Sequence, residues 1–212
     1  MKTADPRLPK ILPENENLCS TIDLFDEEIE EQFFRNQTVT GMAKDQLSFQ
    51  TCIFNHCIFR ECEFKKARFC DVEFKNCDFS NIKLQDCSFN RVTFIDCKLM
   101  GTNLTGSTFN QVSFSQCSAP YFLVSSSKIR GANFINNDFR GCAFDQCILE
   151  HVALDNCNFT EADFSLTPLK YIDLSSCDIT GIRLNGSELR GAAVNAMQAV
   201  ELARLLGLII KE

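Results

Sequence analysis

The chain has 212 residues, room for one domain or two small ones, and its 45% hydrophobic content is too high for disorder. A net charge of -7 argues against nucleic acid as a direct partner, because phosphate binding needs a basic surface. The longest apolar stretch, Leu205 to Ile210, is far too short to span a bilayer. The first residues, MKTADPRLPKILPENEN, carry prolines and charges where a signal peptide needs an apolar run. A cytoplasmic chain with mostly reduced cysteines is therefore expected.

Residues 1–46 read as an N-terminal segment with an acidic cap. Leu24, Ile29, Phe34 and Val39 stand five apart, but Lys44 falls on the same phase. A first coil beginning near Phe34 would thus be imperfect, with the regular coil from 47. Asp26, Glu27, Glu28, Glu30 and Glu31 precede it. Carboxylates favour a helix N-terminus, so a short acidic capping helix is expected there, with a partner-contacting patch as the alternative.

From Phe49 to Val194 every fifth residue is apolar, without an insertion or a polar exception. Sixteen of the 20 Phe lie on this phase, and eleven of the 13 Cys lie two residues before it. Two inward positions per five residues fit neither a helix nor a plain strand. A longer period lies inside the shorter one. One column, read every twenty residues, is Cys57, Cys77, Cys97, Cys117, Asn137, Cys157, Cys177; another is Cys52, Val72, Val92, Val112, Ala132, Val152, Ile172, Ala192. Residue n should therefore sit on residue n+20. That is a four-sided solenoid whose turns pair as strands about 4.8 Å apart, with Phe54, Phe74, Phe94, Phe114 and Phe134 in one interior ladder.

Residues 195–212 break the pattern. Asn195 reads as an N-cap, Met197 to Leu206 as a helix, Gly207 as its C′ residue and Leu208 to Ile210 as a final strand. Either this tail covers the open edge of the last turn or it forms a dimer seam. The group expected at the seam is Met197, Val200, Leu202, Leu205, Leu206, Leu208, Ile209 and Ile210.

Units such as Gly131-Ala132-Asn133-Phe134-Ile135 and Glu161-Ala162-Asp163-Phe164-Ser165 resemble the pentapeptide repeat family, whose motif centres on A(D/N)LXX. The resemblance implies an all-β, right-handed quadrilateral parallel β-helix over 47–194, with a short C-terminal α-helix. The tail, Gln198-Ala199 followed by an apolar helix and Gly207-Leu208-Ile209-Ile210, resembles that of Qnr and MfpA-type proteins. The coil between Phe49 and Val194 lacks the interrupting loops of the Gram-negative Qnr type, so the chain resembles the loop-free, chromosomal type of Gram-positive bacteria and mycobacteria. That resemblance implies a homodimer joined through the tail. It also implies binding to DNA gyrase and topoisomerase IV as a DNA mimic, with protection from quinolones and hence antibiotic resistance.

Nothing in the residues suggests an enzyme. His56 and His151 fall at outward corners nearly five turns apart, so no paired histidine site can form. The cysteine spacings are multiples of five rather than CxxC pairs, so neither a metal nor a disulfide is expected. No catalytic, cofactor or metal residue is assigned, and no membrane contact. Function should lie outside the rod. The side centred on Phe54 and Phe74 carries Glu73, Asp96, Asp155 and Asp173 against Lys75, net -3. The next side carries Asp78, Asp138 and Asp178 among its acids, net -2, and the side with Arg68, Arg91, Lys128, Arg130, Lys170 and Arg190 against Asp71, Glu150 and Glu188 is net +3. These seven carboxylates, Glu73, Asp96, Asp155, Asp173, Asp78, Asp138 and Asp178, are the expected partner-binding set. The alternative is a β-helical scaffold for an unrelated partner.

Overall fold

The computed structural model describes residues 3–24, 28–205 and 207–211. In chain order it holds α1 (Leu18–Leu24), β1 (Glu28–Glu30), β2 (Phe33–Arg35), β3 (Thr38–Thr40), β4 (Ser48–Asn55), β5 (Ile58–Arg60), β6 (Arg68–Lys75), β7 (Ser88–Ile95), β8 (Thr108–Ser115), β9 (Lys128–Ile135), β10 (Ile148–Asp155), one 3₁₀ turn (Ser187–Leu189) and α2 (Ala196–Leu205). The strands from β4 to β10 lie side by side, all parallel, in the order β4-β6-β7-β8-β9-β10. Every ladder keeps the register n to n+20, as in Phe49 on Phe69 and Val92 on Val112. β3 pairs β5 on a third side, and single bridges such as Asp78 to Lys98 and Lys83 to Asn103 carry the rest of the stack. The result is the expected four-sided β-solenoid.

The apolar phase fills its axis. Phe34, Phe54, Phe74, Phe94, Phe114 and Phe134 form one stack, with ring centroids 4.6 to 5.1 Å apart. A second ladder packs edge-on against it, Phe74 to Phe79 at 5.0 Å for example. Such offset and perpendicular pairs add to simple burial. The eleven phase cysteines are buried and free. They act as more than small plugs: Cys77 Sγ donates to the carbonyl of Phe54 and Cys97 Sγ to that of Phe74. This explains the polar members of the same columns. Asn137 Nδ2 donates to Phe114 O at 2.9 Å and its Oδ1 accepts the Cys117 N–H, so the exception in the Cys column bridges two turns. Burial pushes the Cys52 and Cys87 thiols up to about 12 and that of Cys147 up to about 11, which keeps them protonated and inert.

The corners have a backbone rule of their own. Nearly every fifth residue, from Glu31 to Gly191, has a positive φ. Asn, Asp and Gly suit that conformation, whereas a β-branched side chain is strained in it. Thr51, at φ 56, is such a residue. Thr51→Asn is therefore expected to raise stability by about 1 kcal/mol, read as a higher denaturant midpoint with an unchanged slope.

The coil begins earlier than the sequence suggests. Glu28 to Glu30 pair with Ser48 to Gln50, and Phe33 to Arg35 with Ile53 to Asn55. Glu28 and Glu30 are thus strand residues, and the capping helix is α1, before them, with no acid in its first turn. Asp26 and Glu27 lie outside the described residues. Lys44, the exception on the apolar phase, reaches out of the rod and donates Nζ to Ile22 O at 2.6 Å. A lysine at the last carbonyls of a helix offsets its dipole, so the break in the pattern is what anchors the cap.

Ahead of α1, residues 3–13 run back along the outside. Thr3 Oγ1 accepts from Asn133, the Ala4 N–H donates to Gln111 and the Arg7 N–H to Asp71 Oδ1 at 2.8 Å. This strap crosses the faces of β6 to β9 and then pairs beside Phe33.

Candidate interaction surface

The seven expected carboxylates are placed by the columns. Glu73 and Asp173 fall in one outward column, five turns apart, with Thr93, Ser113, Asn133 and Ala153 between. The strap lies on that column. Thr93 is 8% exposed beneath it, and neither Thr93 Oγ1 nor Asn133 Oδ1 has a hydrogen-bond partner. Asp96 stands at an exposed corner with φ 53. Asp155 ends β10, one turn below Asp173, and both are exposed.

Asp78, Asp138 and Asp178 share a third-side column with Lys98, Ser118 and Asn158 between them. Several of these carboxylates build turns. Oδ1 of Asp78, Asp173 and Asp178 accepts the N–H two residues on, at 2.9 to 3.0 Å. Asp138 is neutralised by Arg140, whose Nη2 stands 2.8 Å away and whose guanidinium holds the carboxyl below its usual range. The structure therefore places the seven in two groups, Glu73, Asp78 and Asp96 on two neighbouring turns and Asp138, Asp155, Asp173 and Asp178 on three successive turns nearer the C-terminal end.

The basic side also changes on inspection. Glu188 is 5% exposed: its carboxylate accepts the Leu166 N–H at 2.9 Å and the Asn185 N–H at 3.0 Å. Asp71 is 7% exposed and pairs with Arg91 Nε and Nη2, both at 2.6 Å. Burial opposes ionisation of both acids, but the N–H donors at Glu188, and Arg91 at Asp71, outweigh it and hold both carboxyls below their usual ranges. A lowered folded pKa gives stability that is complete above the unfolded values, about 3.9 for Asp and 4.3 for Glu, and is lost as pH falls through the folded ones. Denaturant midpoints should accordingly stay level down to about pH 5 and fall below about pH 4. Glu188→Gln should be less stable than the parent at pH 7, with the gap narrowing at pH 3.

At the C-terminal end Asn195 Oδ1 accepts the Gln198 N–H at 3.0 Å, and Gln198 Oε1 accepts the Asn195 N–H at 2.8 Å. This reciprocal box, with Asn195 as N-cap, starts α2 at Ala196. Gln198 does more than the sequence reading foresaw. It is buried, and its Nε2 donates to Leu174 O at 2.8 Å and Cys177 O at 2.7 Å, carbonyls of the rod's open end. Gly207, at φ 77, closes the helix through bonds to Arg204 O and, from Leu208, to Ala203 O. Leu202 packs on the rod. Met197, Val200, Leu205, Leu208, Ile209 and Ile210 stay exposed, Met197 by 77% and Ile209 by 89%. Leu208–Ile210 forms no strand in the single chain. Leu206 lies outside the described residues.

His56 and His151 are exposed corner residues. Among the described residues no group of three or more His, Cys, Asp or Glu could hold a metal ion, and no helix is long and apolar enough to cross a membrane.

A family model described as the pentapeptide repeat region matches residues 67–138 and 125–194. No curated protein matches the chain. Among solved structures, full-length QnrB1, a plasmid-mediated fluoroquinolone resistance protein, is 19% identical over 92% of this chain and 95% of its own, with a TM-score of 0.32. HetL, a pentapeptide repeat protein involved in heterocyst differentiation regulation in the cyanobacterium Nostoc, is 16% identical over 79% of this chain and 83% of its own, with a TM-score of 0.34.

Proposed function

We propose that this chain, which belongs to the pentapeptide repeat family, is a non-enzymatic rod that binds type II topoisomerases, DNA gyrase and topoisomerase IV, in place of DNA and protects them from quinolones. The observation that supports this most is the tail. The Gln198-Ala199 helix and Gly207-Leu208-Ile209-Ile210 segment, which resembles that of Qnr and MfpA-type proteins, leaves six large apolar residues exposed. An apolar surface rimmed by polar groups marks an interface, and a second copy related by a two-fold axis would cover it. Light scattering should then give twice the 24.0 kDa of one chain. A single-chain mass would remove the dimer.

Charge sets the style of the mimicry. A rod of a little over eight turns from Glu28 to Val194 is roughly 40 Å long, and duplex DNA of that length carries about 24 charges. A chain of -7 whose carboxylates largely build turns or pair internally is a weak electrostatic copy. Shape and a local acidic edge carry the recognition instead, with charge steering the approach. Reversing Asp96, Asp155 and Asp173 to Lys should weaken gyrase binding and flatten its salt dependence. Reversing Arg68, Lys128 and Arg190 to Glu should matter less; Arg91 is excluded from that control because it neutralises buried Asp71. Equal binding by both triple variants would refute the acidic edge. Absence of gyrase binding by the parent would leave the scaffold reading.

A further inference from the structure

The sheet breaks inside the rod. Below the break, turns are joined by N–H groups that reach the carbonyl nineteen residues on, as in Gln116 to Ile135, Ala119 to Asp138 and Tyr121 to Arg140. By the same rule Leu149 should donate to Pro168, His151 to Lys170 and Leu154 to Asp173. None of these bonds is made, and β10 pairs only with β9. Bonds also run the other way, from a residue to the carbonyl twenty-one back, as in Lys128 to Ser107 and Ile148 to Ser127. The next residue in that series is Pro168, which has no N–H to give to Cys147 O. The turn above is intact in itself, since Leu169, Tyr171 and Leu174 bond onward to Glu188, Gly191 and Ala193. The two other sides also continue across the same level, through Phe159 to Asp178 and Phe164 to Arg183. The rod thus carries a slit on two of its four sides.

The slit has a floor and a rim. Val152 and Leu154 are 9% and 8% exposed, where their counterparts Val112 and Phe114 are 0% and 1%. A cleft of about 530 Å³ opens there, lined by Leu149, Val152, Leu154, Lys170 and Tyr171 among others. Beside it stand Asp155 and Asp173 against Lys170, with Glu150 paired to Arg130 at 2.7 Å and Ile148 and Tyr171 exposed.

We propose that this slit is a docking site for an extended, basic segment of a protein partner, which adds a strand to the free edge of β10. The edge offers the N–H groups of Leu149, His151 and Leu154 and the carbonyl of Val152 around the corner at His151, whose φ is 54, and an incoming main chain that follows that corner can pair with them. The floor takes apolar side chains, and Asp155 and Asp173 select lysine or arginine on the outward positions. The slit shares Asp155 and Asp173 with the acidic edge proposed for gyrase, but binding of a peptide to it does not require gyrase.

The test uses the full chain and a fluorescent octapeptide of alternating Lys and Val, with a Glu/Val octapeptide as control. The Lys/Val peptide should bind saturably, at least tenfold tighter than the control. Amide exchange should be fast at Leu149, His151 and Leu154 in the free protein and slowed by the peptide. Pro168→Thr returns the missing donor and leaves every charge in place. Where it protects those three amides, it should weaken the peptide at least tenfold; where it leaves them exchanging freely, binding should persist. Asp155→Asn with Asp173→Asn should weaken the Lys/Val peptide and leave the fold intact. No binding by the parent, equal binding of both peptides, or unchanged binding to a Pro168→Thr protein with protected amides would each overturn the proposal.

Discussion

Truncating Phe122 to Ala is expected to cost about 3–5 kcal/mol, and adding Phe at position 119 should recover most of it. Position 119 belongs to the large inward phase, between Leu99 and Phe139, yet holds Ala; position 122 belongs to the small phase, yet holds Phe. Both are buried, at 0% and 1% exposure. The Phe122 ring stands 5.6 Å from Phe139 and 6.0 Å from Phe114. Equivalent neighbours surround Phe79 in an ordinary turn, where Phe59 stacks at 4.8 Å and Phe74 packs edge-on at 5.0 Å. Phe122 therefore fills, from the next side, the volume that a ring at 119 would take. Ala119→Phe alone overpacks the axis, at about 1–3 kcal/mol. In the double variant the two errors cancel, so the coupling should reach about 2 kcal/mol or more in denaturant melts. Simple additivity would show that the two positions do not share one volume.

The second large effect belongs to Gln198. Gln198→Ala leaves the Leu174 and Cys177 carbonyls buried without their donor and opens the box with Asn195. At about 1–3 kcal/mol per unsatisfied buried group, the loss should be about 2–4 kcal/mol. Gln198→Glu keeps the acceptor for the Asn195 N–H but supplies no donor, so it should be nearly as damaging. Melts must be run at one protein concentration, because a dimer would make the midpoint depend on it. A loss under about 1 kcal/mol in both variants would mean that the rod end is capped by something other than this side chain.

The interior was legible because each inward position meets the same surroundings on every turn, so Phe94 and Cys97 repeat what Phe74 and Cys77 say. The left-handed backbone of the corners was not. A left-handed residue can be Asp96, but here it can also be Thr51, Arg91 or Tyr121, and those side chains do not announce the backbone beneath them. The strap left no trace because Thr3 and Arg7 follow no period and find partners 130 and 64 residues away. Pro168 was in plain view. The apolar phase runs on through Leu169 and Leu174, however, and a side-chain pattern cannot register a lost N–H. The candidate surface was least legible of all. Asp78, Asp138 and Asp178 read as free negative charge, whereas each spends its carboxylate on a turn or an arginine.

The reading of the whole molecule as a stand-in for DNA on a topoisomerase meets its most direct test in gyrase supercoiling, titrated with this protein with and without ciprofloxacin. The account predicts that supercoiling blocked by the drug is restored as the protein is added. Drug inhibition unchanged at every protein concentration, with supercoiling in the drug-free arm equally unaffected, would contradict it.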